Sequence, residues 1–483
     1  MNEKMAAAGK LSWGTRLLYS AGQFADSIPF NIFYFYFLFF FTDVVGLSPA
    51  AGGTISLIVI IWDACTDPVI GYLSDNCNSK YGRRRPFMIA AIVPLFACTL
   101  LLFTAVDFGA AGSFAYYLVV GILFWSCYKV FVIPYFALGA ELTQDFNERN
   151  TLRSVAGFVI YLASWFTSAG PMFVWDQVLK AGGDDRTAWM LSAAIFGAIG
   201  LIGGLVCWNF TRGKELAVRE DPSEEKAGLN FFTHYRQLFS SRAMRHLLFS
   251  ILFYCISFAI QAAALVYMMS NNLAMSEASQ AVYWTAYAVI TFILLPIINA
   301  AANRFGKKPA MIVFNIITAI GCVFYFFKGI DSYADLIGFT ILYQFGGTSF
   351  WTIGYSLTYD CCEVDEFVYG KRREGSITGF ASFSQKLGSA VGMWVCGILL
   401  TVVGYNAELA EQTANATHGI LMMNTLFPGI VTAAGTIFVL LYPINKKNFA
   451  ALMKSLELKR QGLSYTTEGF DELIQGGNNG EEK

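Results

Sequence analysis

Apolar residues run through this chain in long unbroken stretches, and polar residues gather in short breaks between them. A helix needs about 20 apolar residues to cross the hydrocarbon core of a bilayer. Twelve stretches reach that length, at approximately 15–42, 51–75, 87–106, 114–140, 154–175, 188–209, 245–270, 279–301, 309–328, 333–360, 376–403 and 419–443. The pattern predicts an all-α membrane protein with twelve transmembrane helices. The longest break, 210–244, is charged (TRGKELAVREDPSEEK, with Pro222 inside it) and parts six helices from six. The expected organisation is a six-helix bundle over 1–209, a central cytoplasmic loop over 210–244, a second bundle over 245–443 and a cytoplasmic tail over 444–483. The tail is polar, ends in GGNNGEEK and is expected to be disordered.

The placement of positive charge tests this partition. Of the 33 Lys and Arg, only Lys180, Arg186 and Lys328 fall on the side opposite the N-terminus, and Lys129 and Lys386 fall inside helices. All the others lie on the N-terminal side, which the positive-inside rule places in the cytoplasm with both termini. A missed helix would scramble that asymmetry. The two halves also echo each other: Tyr81-Gly82-Arg83-Arg84-Arg85-Pro86 between helices two and three recurs as Phe305-Gly306-Lys307-Lys308-Pro309 between helices eight and nine. Two pseudo-symmetric bundles of this kind can rock about a midplane site and present it alternately to each side.

Composition agrees, with 55% hydrophobic, 16% aromatic and only 14% charged residues. Thirty-three basic against 34 acidic residues leave no basic excess for a nucleic-acid partner. The ten cysteines are scattered, with no C-x-x-C and no Cys/His metal spacing, and read as free thiols packed in helices. His234, His246 and His418 stand apart, and no nucleophile motif or soluble domain accompanies them, so an enzyme is not expected. The first dozen residues lead into an apolar run without a small-residue cleavage site, so no removable signal peptide is expected.

A charge at the membrane centre costs roughly 2.5–3.5 kcal/mol on insertion scales, so each one requires an explanation. Asp26 falls in helix one, Asp63 and Asp67 in helix two, Lys129 in helix four and Lys386 in helix eleven. Asp63 and Asp67 are four apart and share a helical face, with the Thr66 hydroxyl beside them. Hard oxygen ligands in that arrangement suit Na⁺ or a proton; an ion-pair network that only locks helices together is the alternative. If all five charges share one cavity, three acids and two lysines leave one uncompensated negative charge, the right size for one bound cation.

The segment Trp62-Asp63-Ala64-Cys65-Thr66-Asp67-Pro68-Val69-Ile70-Gly71 resembles the helix-two signature of the glycoside–pentoside–hexuronide cation symporters, the melibiose permease family of the major facilitator superfamily. Phe41-Thr42-Asp43-Val44-Val45-Gly46-Leu47, Ile133-Pro134-Tyr135, and Tyr369-Gly370-Lys371-Arg372-Arg373-Glu374-Gly375 with Gln385-Lys386-Leu387-Gly388 are similar to further family motifs. The resemblance spans nearly the whole chain. It implies that Asp63, Thr66 and Asp67 bind the coupling cation. It also implies that Asp26, Tyr128, Trp351 and Lys386 lie at the substrate, and that Arg149, Asp360, Glu363, Glu366 and Arg372 close the inward side.

The sequence departs from the melibiose permease pattern at three points. Val132 stands where that pattern has a sugar-binding aspartate, and Ala156 or Gly157 stands at its helix-five arginine. Lys129 replaces a small hydroxyl residue of its cation site. An ammonium there is expected to reach Asp63 and Asp67 and occupy the Na⁺ site as a tethered cation, which implies transport independent of Na⁺. The alternatives are that it snorkels away or binds an anionic group such as a uronate, and a position near mid-helix disfavours snorkelling. The expected function is alternating-access transport of a glycoside, pentoside or hexuronide coupled to H⁺ or Na⁺, by a monomer in the plasma (inner) membrane without a cofactor. The alternative is transport of a lysophospholipid or other amphipathic solute, with the aromatic run Phe33–Phe41 facing an acyl chain.

Overall fold

The computed structural model describes residues 11–75, 77, 79, 82, 84–142, 146–213, 239, 241–370, 374–409 and 411–474; the side chains of a few helical residues, Arg149 among them, lie outside that description. The described residues form helices and connecting turns, without strands. Among the described residues, eleven helices are long and apolar enough to cross a membrane. In chain order these are α1 (Trp13–Val44), α2 (Pro49–Asp75), α3 (Arg85–Leu102), α4 (Gly109–Glu141), α5 (Phe146–Lys180), α6 (Asp185–Phe210), α7 (Arg242–Asn272), α8 (Glu277–Phe305), α9 (Lys307–Lys328), α11 (Glu374–Val402) and α12 (Ala414–Leu441). The expected stretch 333–360 is α10, in which Tyr333–Ser349 continues through a π turn at Phe350–Gly354 into Tyr355–Tyr369. Gln344, the run Gly346-Gly347-Thr348-Ser349 and the acids toward its C-terminal end lower its apolar character. Most of the expected central loop lies outside the described residues.

The chain divides into two compact units. The first comprises Met1–Asp221 with Met269–Thr285 and Trp394–Ala416; the second holds the remainder. In the first unit α6 turns glycines toward α1, and a Cβ on Gly203 would lie 2.5 Å from the Ala21 carbonyl oxygen. Lipid tails give apolar helices no reason to associate, so close approach of this kind supplies van der Waals contact instead. The aromatic run of α1 is packed inside this unit: Phe33, Phe37, Phe40 and Phe41 are fully buried, with Phe33 edge-on to Trp125 and Phe41 edge-on to Tyr117.

Helices α1 and α7 end alike. Each closes with a π turn, Phe40–Val44 and Met268–Asn272. The Leu47 amide then donates to the Phe41 carbonyl at 3.2 Å, and the Met275 amide donates to the Met269 carbonyl at 2.9 Å. The left-handed position is Gly46 in one turn and Ala274 in the other. Thr42-Asp43 and Ser270-Asn271 thus occupy matching places.

In the second unit an apolar core links α7, α9, α10 and α12 with Leu452, Leu456, Phe470 and Leu473. These last four correct the expectation of a disordered tail. Lys446–Arg460 is a helix, α13, opened by a capping box between Asn445 and Asn448, and Asp471–Ile474 forms a short α14. The tail's average polarity conceals a stripe with Leu452 and Leu456 one turn apart, which packs inward. The terminal GGNNGEEK lies outside the described residues.

Candidate functional site

In the first unit, α2 and α4 bring the intramembrane charges together. Asp63 is 1% exposed and Lys129 is 7% exposed. The Lys129 Nζ lies 3.2 Å from Asp63 Oδ1 and 3.3 Å from Asp67 Oδ1. The one-turn spacing of the two acids makes this bridge feasible, since both carboxylates leave the same face of α2. Trp62 reinforces the pairing of the helices by donating its indole Nε1–H to the Ser126 hydroxyl at 2.9 Å. The Thr66 hydroxyl donates to the Asp63 carbonyl at 2.9 Å, so its proton is held by its own helix and its lone pairs remain to accept.

Asp26 of α1 sits beside this triad. The Tyr128 hydroxyl donates to Asp26 Oδ1 at 2.6 Å, and Lys129 Nζ stands 5.2 Å from the centre of the Tyr128 ring. Trp125 meets Tyr128 edge-on at 5.2 Å, and Phe30 packs on both. Three carboxylates therefore share this part of the unit with a single lysine. Ion pairing with two acids offsets the cost of burying the ammonium, and a lysine stem snorkelling toward water would not hold this geometry.

The remaining substrate candidates belong to the second unit. Trp351 lies on the π turn of α10 with 37% of its surface exposed, stacked on Tyr355 at 6.0 Å and edge-on to Phe258 at 5.9 Å. The Tyr355 hydroxyl donates to Gln385 Oε1 at 2.5 Å, next to the half-buried Lys386 on α11. The gate candidates also find partners within this unit. Asp360 accepts from Lys307 Nζ at 2.6 and 2.9 Å. Arg460 of the tail helix donates to Glu366 at 2.6 and 2.8 Å and to Glu363 at 3.1 Å. The Arg149 side chain and Arg372 lie outside the described residues. Reading the sequence picked out the acids but not these partners: Lys307 counted only toward the basic repeat, and Arg460 lies in a tail expected to be disordered.

At the end of α1 opposite its N-terminus, Thr42 donates to Asp43 Oδ2 at 2.6 Å and the Tyr405 hydroxyl donates to Asp43 Oδ1. Asn271, the counterpart of Asp43 in α7, donates to the same Tyr405 oxygen at 3.4 Å. All these residues fall within the first unit.

Buried acids answered by a lysine on a neighbouring helix, in a chain of membrane-length helices, fit a membrane transporter. The chain belongs to the MFS/sugar transport protein family, whose model matches residues 18–446. The motif resemblance to glycoside–pentoside–hexuronide cation symporters therefore holds. An uncharacterized symporter, YnaJ, of Bacillus subtilis is 29% identical over 93% of this chain and 95% of its own. A glucuronide carrier protein homolog of Escherichia coli is 26% identical over 94% of this chain and 97% of its own. The isoprimeverose transporter of Lactiplantibacillus pentosus is 26% identical over 90% of this chain and 89% of its own. Among solved structures, a D-xylose-proton symporter superposes with a TM-score of 0.62 at 15% identity, covering 88% of this chain and 96% of that one. This likeness shows the major facilitator fold and nothing finer.

Proposed function

We propose that the protein carries a sugar or sugar derivative (a glycoside, pentoside or hexuronide) across the plasma membrane by alternating access. In this reading it acts as a monomer with both termini in the cytoplasm, and its transport does not depend on Na⁺. The observation that carries the reading is the Lys129 ammonium, held 3.2 and 3.3 Å from Asp63 and Asp67. In the family motif those two acids are the coupling-cation ligands. Here a tethered cation of the same charge already lies between them, and admitting Na⁺ would place two like charges against each other in a medium of low dielectric. Protons or the solute gradient then drive the cycle. Asp26 and Tyr128 in the first unit, and Trp351 and Lys386 in the second, serve the solute. An indole face suits the apolar face of a sugar ring, and a few convergent polar groups fix its hydroxyls. The charges at Arg149, Asp360, Glu363, Glu366 and Arg372 serve inward closure.

The test is uptake of a glycoside, pentoside and hexuronide panel into proteoliposomes with the external cation as Na⁺ or choline. Uptake of a sugar at equal rates in both media is expected. Strong Na⁺ stimulation of the unmodified protein would overturn the Na⁺-independent reading, and transport of lysophospholipids in place of every sugar would overturn the substrate class.

A further inference from the structure

A second feature of the first unit is not used by this scheme. A cavity of about 90 Å³ opens between α1, α4 and α5, with Tyr19, Gln23, Gly139, Arg153 and Ala156 on its wall. Gln23 is only 2% exposed, yet its Oε1 has no hydrogen-bond partner. A buried amide left unsatisfied costs roughly 1–3 kcal/mol, so such a group marks a place where something polar is expected. Arg153, exposed on α5, has no carboxylate partner among the described residues. Glu148, on the same helix, is taken by Arg16 at 2.7 Å. The wall is built closely: a Cβ on Gly139 would fall 2.2 Å from the Tyr19 hydroxyl, so only glycine leaves that phenol its place. Tyr19 in turn donates to the Tyr135 carbonyl at 3.3 Å and stacks on the Tyr135 ring at 4.8 Å.

We propose that this cavity is an oxyanion subsite, in which the Arg153 guanidinium and the Gln23 amide take the carboxylate or sulfonate of an acidic sugar. The inference rests on the sugar-transport reading above and narrows it. A guanidinium presents parallel N–H donors that match the two oxygens of such a group, and a glutamine amide offers both a donor and an acceptor. The acceptor, Oε1, suits a hydroxyl adjacent to the acid group. The volume admits the acid end of a solute and not a whole ring, since pockets enclosing whole ligands run to about 300 Å³ or more. Gln23 lies three residues before Asp26, about 4.5 Å along the helix axis. A solute with its acid group at Arg153 thus has its hydroxyls toward Asp26 and Tyr128. Lys129 does not compete for the acid group, because two carboxylates already surround it.

The experiment uses the purified full chain in detergent, titrated calorimetrically with methyl β-glucuronide and methyl β-glucoside. The glucuronide should bind the unmodified protein about tenfold tighter, the worth of one charge-assisted contact. Arg153→Gln should remove that preference while glucoside affinity, which also serves as the folding control, stays as it was. Gln23→Leu should narrow the preference and weaken the glucoside as well, since both sugars carry the hydroxyl that donates to Oε1. Arg153→Lys should restore the preference in part, since the charge returns without the fork. Equal binding of the two sugars, or a preference that survives both substitutions, overturns the subsite and leaves the transport reading standing. Binding of neither sugar overturns the subsite, and only the failure of every sugar in the uptake panel overturns the transport reading. A lipid phosphate shares the same chemistry, so the titration is repeated with added phosphatidylglycerol. Unchanged glucuronide binding is expected, and its displacement by the lipid would overturn the solute as occupant.

Discussion

Asp63 and Asp67 hold different stations although one ammonium serves both. Asp63 is sealed in the helix interface, whereas the Asp67 side chain is about a third exposed at 34%. Neutralising either leaves Lys129 with one carboxylate instead of two. Asp63→Asn and Asp67→Asn are each expected to abolish concentrative uptake while the protein still inserts and folds, as read by accumulation ratio and size-exclusion profile. Normal accumulation by either variant would assign the pair to helix locking. Trp351→Ala is expected to weaken solute affinity about fivefold or more with little change in yield, because stacking on an aromatic face is worth roughly 1–3 kcal/mol. An unchanged affinity would assign the indole to packing against Phe258 and Tyr355. These residues were legible in the sequence because a charge or large aromatic inside an apolar run stands out. Gln23 and Arg153 were not: a glutamine in a helix draws no notice, and the arginine counted only toward topology.

At the scale of elements, helix positions followed from apolar length, and the internal repeat was visible in the basic turns before α3 and α9. The repeated ends of α1 and α7 escaped that reading, since a π turn has no residue-type signature and Phe-Thr-Asp bears little likeness to Met-Ser-Asn. Nor does any local pattern connect Asp43 with a tyrosine 362 positions away. Tyr405 joins the two turns through one hydroxyl, and its removal leaves a half-buried carboxylate short of a donor, at a cost of roughly 0.5–1.5 kcal/mol. Tyr405→Phe is therefore expected to lower the melting temperature in detergent. In a double-mutant cycle with Asp43→Asn the two effects should be strongly non-additive. Additive effects would show that the contact contributes nothing. The tail helix escaped for another reason: a single apolar stripe on a charged helix disappears in an average over its residues.

For the molecule as a whole, two compact units each carry part of the candidate site, with the charge cluster in one and the exposed tryptophan in the other. Fold and family were legible from hydropathy, charge asymmetry and the α2 motif. Lys129 was already placed by the sequence within reach of Asp63 and Asp67, but its stem can reach several partners from one backbone position, so the distances of 3.2 and 3.3 Å had to come from the structure. Its place between two acids turns a familiar cation motif into one that carries its own cation. Equilibrium binding of radioactive ²²Na⁺ to the purified protein tests this most directly, comparing the unmodified chain with Lys129→Thr. The unmodified protein should bind no Na⁺ at millimolar concentration, and Lys129→Thr, with the pocket vacated, should bind about one ion per chain, lost again on adding Asp63→Asn, since two carboxylates can hold a hard cation. Saturable Na⁺ binding by the unmodified protein, abolished by Asp63→Asn, would contradict the account.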